Sequence, residues 1–315
     1  MGKIFISLLN WINFQDCIKC VKSLEKLSSP EITILIRDNA SPNNSVQKLK
    51  EALPNYPIYG SKHNNGYAAG HLANWEIAKK EGADFFWILN CDLIVSYNSL
   101  DAFLDAYKRN GEHIYGSISL QPENPNLIDF GGGIQPITNQ EPFTYNLWEG
   151  KSYRDYSQIY PQEREIQSVE GSSMFLPASL IHKYGFMHTD FFMYAEENDY
   201  AYRLRKKGVK SILVTNSTVI HYSASSFKGE NKLYLVSAYY RRRNFMRFLK
   251  THYNWNSMNI LNHPDSFLSK VKFLTKYYLS PSFRRKNEKQ FIYLKGSLDA
   301  VFERAGKTIK PEKFI

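Results

Sequence analysis

The run Phe85-Phe86-Trp87-Ile88-Leu89 stops abruptly at Asn90-Cys91-Asp92. An unbroken apolar stretch of strand length, entered after Gly82 and left through polar residues, reads as a strand buried on both faces. Such strands are the central strands of parallel α/β sheets. Ligands of open α/β sheets collect outside the carboxyl ends of the strands, so Asp92 would point into a crevice where a cation and a phosphate can meet. One carboxylate and one carboxamide suit a hard octahedral cation, Mg²⁺ or Mn²⁺, which takes oxygen ligands and leaves positions for substrate phosphates. The same tripeptide is also ordinary turn chemistry, so the rest of the chain has to decide.

Upstream, Lys3 to Leu9 is β-rich and gives way at Asn10-Trp11 to a helix over Asn13 to Leu27, with Phe14, Cys17, Ile18, Val21, Leu24 and Leu27 at helical spacing. Ile32 to Ile36 is a second strand and ends at Arg37-Asp38-Asn39-Ala40-Ser41. Strand, helix, strand opens a doubly wound sheet whose right-handed crossovers place strand ends on one edge, so Asn10 and Asp38 become neighbours. A helix over Ser45 to Leu53 and a short strand near Ile58 lead to Asn64-Asn65-Gly66-Tyr67-Ala68-Ala69-Gly70 and a helix to Lys80. Either the N–H groups of that helix start serve an anion or a ribose, or the glycines merely allow a turn and close packing. Residues 4 to 92 then form a βαβαβαβ unit.

Downstream, a helix from Ser99 to Lys108 and a strand at His113 to Ser119 precede a stretch from Gln121 to Gln167 where the pattern dissolves. Such a stretch reads as a lid or substrate loop, with Trp148, Tyr153 and Tyr156 either stacking on sugar rings or covering the core. Order returns as a strand over Val169 to Leu176. Phe191 to Asp199 follows, leading into a helix from Tyr200 to Gly208. Glu196, Glu197 and Asp199 at a helix start complement its dipole, yet one of them in an aromatic pocket can be raised towards neutrality as a general base requires. Glu197 and Asp199 are the candidates. A strand from Ser211 ends at His221, a structural histidine or, if it faces Asp92, a second metal ligand.

At 315 residues with 43% hydrophobic content, the chain supports one large domain or two coupled ones. No apolar run has the length of a membrane span, and Ile4 to Ile12 lacks the flanks of a signal peptide, so a cytoplasmic protein is expected. Cys17 and Cys20 have no second pair at metal-ligand spacing and read as packing residues on one helix face. Charge is unevenly spread. Lys228 to Ile315 holds 19 Lys and Arg against 6 Asp and Glu, net +13, which against +10 for the whole chain leaves residues 1 to 227 at −3. Tyr239-Tyr240-Arg241-Arg242-Arg243-Asn244, Lys270 to Tyr278 and Gln290 to Phe302 are helical and basic. They read either as stretches that lie on an anionic membrane surface or as solvated faces.

In their order, Leu9-Asn10-Trp11, Arg37 to Ser41, Asn64 to Gly70, Leu89-Asn90-Cys91-Asp92, Glu170-Gly171-Ser172, Phe191 to Arg205 and His221 resemble the family 2 glycosyltransferases, and within them the bacterial rhamnosyl- and galactofuranosyltransferase-like branch. The resemblance implies a GT-A fold: a Rossmann-like, mostly parallel sheet flanked by helices that binds a nucleotide-diphospho-sugar. It implies a catalytic domain over residues 1–227, with a nucleotide-sugar half to about 120 and an acceptor half from about 165, and a helical basic region over 228–315 for membrane or oligomer contact. By resemblance Asp38 would bind the base, with Asn10, Asn65 and Gly66 near the nucleoside. Asp92, with Asn90 in place of the fuller motif's first Asp, would hold the divalent metal, and His221 would complete that site. Glu197 would be the general base, with Glu196 and Asp199 orienting the acceptor or the base.

The implied reaction is an inverting transfer from a UDP- or dTDP-linked sugar to a hydroxyl of a glycan or lipid-linked acceptor in cell-surface polysaccharide synthesis, at the inner face of the membrane. Two other classes compete. A nucleotidyltransferase would need a Gly-rich basic loop after the first strand, which Leu8-Leu9-Asn10-Trp11 does not supply. A non-catalytic basic binder of membrane or nucleic acid would use the acidic motifs only as helix caps; nucleic acid is not the expected partner.

Overall fold

The computed structural model describes residues 2–27, 31–134, 145–222, 232–263 and 265–314. The first ninety residues alternate as β1 (Ile4–Asn10), α1 (Phe14–Leu24), β2 (Ile32–Asp38), α2 (Ser45–Ala52), β3 (Ile58–Gly60), α3 (Tyr67–Lys80) and β4 (Phe85–Asn90). These strands are parallel in the order β4-β1-β2-β3. Next come β5 (Leu93–Val95), α4 (Ser99–Asn110), β6 (Ile114–Leu120), β7 (Ile128–Phe130), β8 (Gly133–Ile134), β9 (Tyr145–Asn146), α5 (Tyr153–Ile159), β10 (Glu163–Ile166), β11 (Ser173–Pro177), α6 (Ala178–Tyr184), α7 (Glu196–Arg205) and β12 (Ser211–His221). β11 enters antiparallel between β4 and β6, and β12 lies parallel to β6, so a mixed sheet extends the parallel half.

β4 is the spine of the core because its period of two feeds both faces. Phe85, Trp87 and Leu89 pack with Cys17, Cys20 and Val21 of α1 and Phe103 of α4, while Phe86 and Ile88 pack with Trp75 of α3 and Ile181 of α6. The cysteines are buried and free, which is the packing role their helical spacing suggests. A polar seam also ties α3 to the sheet. Ser7 of β1 lies 2.7 Å from His71 Nδ1 and accepts from Asn74 at 2.9 Å, and burial pushes the His71 pKa down to about 3.

The stretch from Gln121 to Gln167, expected to be structureless, is largely ordered where it is described; 135–144 lie outside the described residues. β7 adds to β6, and Trp148 meets Tyr156 and Tyr160 edge to face while the two tyrosines lie tilted against each other, with Tyr156 fully buried. These aromatics cover the core. Aromatic clustering in a Pro- and Gly-rich stretch carries no helix or strand period, which is why the pattern hid it. Two boundaries also move. β11 begins at Ser173, leaving Val169 to Ser172 outside the strand, and α7 ends at Arg205 rather than Gly208; it begins at Glu196, with all three carboxylates in its first turn as expected.

Beyond lie α8 (Leu233–His252), α9 (Ser257–Leu261), α10 (Phe267–Leu279), α11 (Pro281–Lys286) and α12 (Glu288–Val301). The boundary expected at 227/228 falls outside the described residues. α8 and α12 cross so closely at Gly296 that a Cβ there would stand 2.8 Å from the Tyr239 carbonyl oxygen. Arg242 and Arg243 are buried in this crossing. Arg242 donates to Ser297 Oγ at 2.7 Å, and Arg243 to the Gly306 carbonyl at 2.7 Å and Thr308 Oγ1 at 2.8 Å. The reading of Tyr239 to Asn244 as a surface stretch is corrected for these two arginines, and that of Gln290 to Phe302 for α12, whose Leu294, Ser297 and Ala300 face inward.

Candidate active site

Strand register brings the first pair together. Asn10 and Asp38 end β1 and β2 opposite each other, and Asn10 Nδ2 donates to Asp38 Oδ2 at 2.7 Å. Asp38 also accepts from the Ser41 backbone N–H at 2.8 Å and from the Ser41 hydroxyl at 2.7 Å, an Asx turn that fixes the carboxylate at the sheet edge. Asn10 Oδ1 is buried without a partner among the described residues.

Beside it, Asn64 is the organiser of the Asn65-Gly66 turn. Its side-chain oxygen accepts from Asn39 Nδ2 at 2.9 Å and from the Gly66 N–H at 3.0 Å, while Asn65 is exposed. Gly66 has φ +93°, and a Cβ there would lie 2.1 Å from the Phe192 carbonyl oxygen. That oxygen accepts from the Tyr67 N–H at 2.7 Å. The first N–H of α3 is therefore spent on the chain itself rather than left for an anion.

At the end of β4, Asp92 faces His221, with Oδ1 3.4 Å from Nε2; β5 pairs with β12 and the Tyr222 N–H reaches the Asp92 carbonyl at 3.0 Å, which fixes this approach. Glu170 stands on the other side of the imidazole, its Oε1 3.2 Å from Nδ1. Burial alone would lower the His221 pKa, but Glu170 and Asp92 outweigh it and hold it well above the usual value. Burial likewise pushes the Glu170 carboxyl up, and His221 and Ser172 outweigh that and hold it below the usual range.

Three carboxylates begin α7, and the structure separates their surroundings. Asp199 is buried, with Arg203 Nε and His252 Nε2 both at 2.7 Å and His188 at 3.2 Å, so its pKa is lowered despite burial. It pins α7 to α8. Any part it plays in the expected orienting of the acceptor or the base is played from this anchored position, with Oδ1 on His252 and Oδ2 on Arg203 and His188. Glu196 is buried with Oε2 unpartnered among the described residues, and burial and the charge of Glu197 push it well up. Glu197 is half-buried, lies where a Cβ added at Gly171 would meet its Cγ at 3.4 Å, and accepts from Asn198 at 2.8 Å; burial raises it, though backbone N–H groups and Arg241 pull the other way.

Tyr67 links these groups. Its hydroxyl donates to the Gly171 carbonyl at 2.6 Å, and burial together with Glu196, Glu197, Glu170 and Asp92 drives its pKa well up. Four carboxylates therefore act on one phenol. Reasoning from sequence gave no role to Tyr67, Asn64 or Glu170. Glu170 stood in a matched stretch, but nothing local pairs it with a histidine fifty-one residues on.

Residues 13–158 match the family model described as Glycosyl transferase family 2. Over that stretch, just under half of its length, the chain is similar to the family 2 glycosyltransferases. This glycosyltransferase is 28% identical over 225 residues to the N-acetylglucosaminyl-diphospho-decaprenol L-rhamnosyltransferase of Mycobacterium tuberculosis (strain CDC 1551 / Oshkosh), covering 65% of this chain and 71% of that one. It is 24% identical to the rhamnosyltransferase WbbL of Escherichia coli (strain K12), over 66% of this chain and 80% of that one. Its fold is similar to that of GalNAc-T7 solved with UDP, GalNAc and Mn²⁺, with a TM-score of 0.64 at 13% identity over 96% of this chain and 58% of that one. It is similar too to the mannosyltransferase PcManGT of Pyrobaculum calidifontis in complex with GDP-Man and Mn²⁺, with a TM-score of 0.57 at 9% identity over 96% and 88%. The GT-A expectation for the fold holds.

Asp92 and His221 fit a divalent cation. The carboxylate and Nε2 face each other, and Glu170 behind Nδ1 is the kind of partner that orients a metal-binding imidazole. Among the described residues no three His, Cys, Asp or Glu side chains are arranged to hold a metal by themselves. Two protein ligands leave the remaining positions to substrate phosphates, which is how Mg²⁺ is commonly held.

Proposed function

We propose that this glycosyltransferase is a metal-dependent, inverting enzyme that moves a sugar from a UDP- or dTDP-linked donor to a hydroxyl of a glycan or lipid-linked acceptor in cell-surface polysaccharide synthesis. The observation that carries it is the grouping of Asp92, His221, Glu170, Glu197 and Tyr67 beyond the strand ends, next to the Asn10–Asp38 pair. The rhamnosyltransferase names of the relatives make a rhamnosyl donor the first to test. In this proposal the reaction is cytoplasmic. Among the described residues no helix is long and apolar enough to cross a membrane.

In this reading Asp38, held by Asn10 and Ser41, receives the nucleobase, and the Asn65-Gly66 turn borders the ribose. Asp92 and His221, with Asn90 beside them, would hold Mg²⁺ or Mn²⁺; the bound ion supplies charge neutralisation at the leaving diphosphate. Glu197 takes the acceptor hydroxyl proton, because it is half-buried and reachable while its environment raises its basicity. Glu196, buried beside it with a free oxygen, orients the acceptor or the base. The acceptor oxygen attacks the anomeric carbon as the diphosphate leaves, and one displacement inverts that centre. The competing basic-binder reading loses its strongest cluster, since Arg242 and Arg243 are buried.

The test is a panel of UDP- and dTDP-sugars with and without Mn²⁺, reading released nucleoside diphosphate, with Glu197→Gln alongside. Metal-dependent release from one donor, lost in the variant, supports the whole assignment. Release that survives Glu197→Gln in the presence of acceptor would remove Glu197 as base, and silence across the panel with no nucleotide binding by calorimetry would remove the donor reading.

A further inference from the structure

We propose that α10 and its corner into α11 form a foot that docks this protein on the surface of an anionic lipid bilayer. α10 carries two apolar faces, and the fold uses one. On the packed side, Tyr277 is buried and stacks on Phe291 of α12 with centroids 4.3 Å apart, and Phe273 lies 5.6 Å from Phe283 of α11. On the opposite side Phe267, Val271 and Tyr278 fall on one arc by helical spacing, with Leu268 and Leu279 beside them. All five are exposed, Leu268 at 63%, Tyr278 at 62% and Leu279 at 79%. Five large apolar side chains on one solvent-facing arc go beyond the scattered surface hydrophobes of a water-soluble protein.

Charge selects the occupant. From Ser266 to Asn287 the chain has Lys270, Lys272, Lys276, Arg284, Arg285 and Lys286 and no acidic residue. Lys272 and Lys276 are exposed and follow Leu268 and Leu279 around the helix, so the apolar arc has a cationic rim. Arg284 closes the corner by donating to the Tyr278 carbonyl at 3.1 Å, and Arg285 and Lys286 are exposed beyond it. An apolar stripe flanked by Lys and Arg is the pattern of a helix lying in the headgroup region, with apolar side chains among acyl chains and cations among anionic lipids. A second copy of the same arc would set these cations against each other. Unlike Arg242 and Arg243, Lys272, Arg285 and Lys286 are exposed, and Lys276, though it lies 4.7 Å from the Phe283 ring centroid, is exposed too, while Lys270 and Arg284 are tied to backbone carbonyls.

The experiment is flotation of the full chain with vesicles of phosphatidylcholine mixed with phosphatidylglycerol, against pure phosphatidylcholine, at physiological salt. The expected result is retention on the mixed vesicles and little on the pure ones. Lys272→Gln with Lys276→Gln should weaken partition roughly 30-fold, at about one kcal/mol for each cation near an anionic surface. Leu268→Ser with Leu279→Ser should weaken it roughly tenfold or more while the thermal melt stays unchanged, since neither side chain is packed. Equal binding to both vesicle types, or variants that bind as the parent does, would overturn the proposal. So would a concentration-dependent dimer, seen by sedimentation velocity without vesicles, that the leucine variant abolishes while vesicle binding is absent; the arc would then be a self-interface.

Discussion

The side-chain amide of Asn244, on α8, donates to the carbonyl of Tyr194 at 2.9 Å, two residues before the first carboxylate of α7. The same amide reaches the carbonyls of Phe191 at 2.8 Å and Met193 at 2.7 Å, and Arg243 adds a second donor to Phe191 at 2.7 Å. The segment they grip is strained: Phe192, Tyr194 and Ala195 have φ of +69°, +68° and +72°. Each such residue costs about 1–3 kcal/mol and persists only where its surroundings over-determine it. Asn244 is therefore a positioning residue for Glu196 and Glu197. Asn244→Ala is expected to destabilise by about 2–4 kcal/mol through lost buried hydrogen bonds. It should lower kcat well beyond any change in donor KM. Urea unfolding and steady-state kinetics check this, with kcat referred to the fraction of sites that bind nucleotide, because a misfolded fraction alone also lowers apparent kcat at constant KM; a kcat restored by that correction would remove the positioning role.

Gly66 holds the same segment from the opposite side. A Cβ at this position would collide with the Phe192 carbonyl oxygen in a backbone conformation that L side chains avoid. Gly66→Ala is expected to cost about 3 kcal/mol or more, because strain and displacement of the loop add. By contrast Gly82→Ala, also at positive φ but with open space around it, should cost only the conformational part. Comparing the two midpoints of chemical denaturation separates collision from conformation.

How much of this was legible in the sequence depends on the range of the cause. β4 was readable because an apolar run of strand length, entered after Gly82 and left through polar residues, reads as a doubly buried strand, and the Asn10–Asp38 contact followed because parallel strand ends share an edge. The anchoring of Asp199 was hidden, since its partners come from three places, one of them fifty-three residues away on α8. Arg242 and Arg243 looked like a surface charge run, since nothing in their local pattern shows that α12 crosses at Gly296 and takes them inside. The missing information is tertiary in each case.

Glu170 offers a test of the metal assignment that leaves both expected ligands in place. Its carboxylate lies 3.2 Å from His221 Nδ1, on the side of the ring away from Asp92, placed to support that ring when a metal is bound. Removing such a supporting carboxylate typically weakens metal affinity about 10–100-fold. Glu170→Gln should therefore raise the Mn²⁺ concentration needed for half-maximal signal in electron paramagnetic resonance titrations with UDP, while UDP binding without metal is unchanged. Unaltered Mn²⁺ affinity would remove Glu170 from the site.

The two raised carboxyls at the start of α7 make opposite demands on pH. Glu197 must be ionised to accept a proton, and burial raises its pKa, so kcat should fall on an acid limb lying above the usual range of a glutamate. Glu196 is pushed up further by burial and by Glu197, so the folded state keeps its proton at pH values where the unfolded chain has lost it. Between the ordinary glutamate pKa and that raised value the native state binds more protons, and stability must fall as pH rises through the window. Below the ordinary pKa both states are protonated and the effect vanishes. Glu196→Gln keeps the shape and removes the charge. Its unfolding free energy should match the parent's in acid and exceed it increasingly as pH rises, by at most about 1.4 kcal/mol for each pH unit crossed. Urea unfolding across a pH series measures the difference directly. A gap that shrinks with rising pH would mean that Glu196 is held as a stabilised carboxylate, and the assignment of a buried, proton-holding acid beside the base would fail.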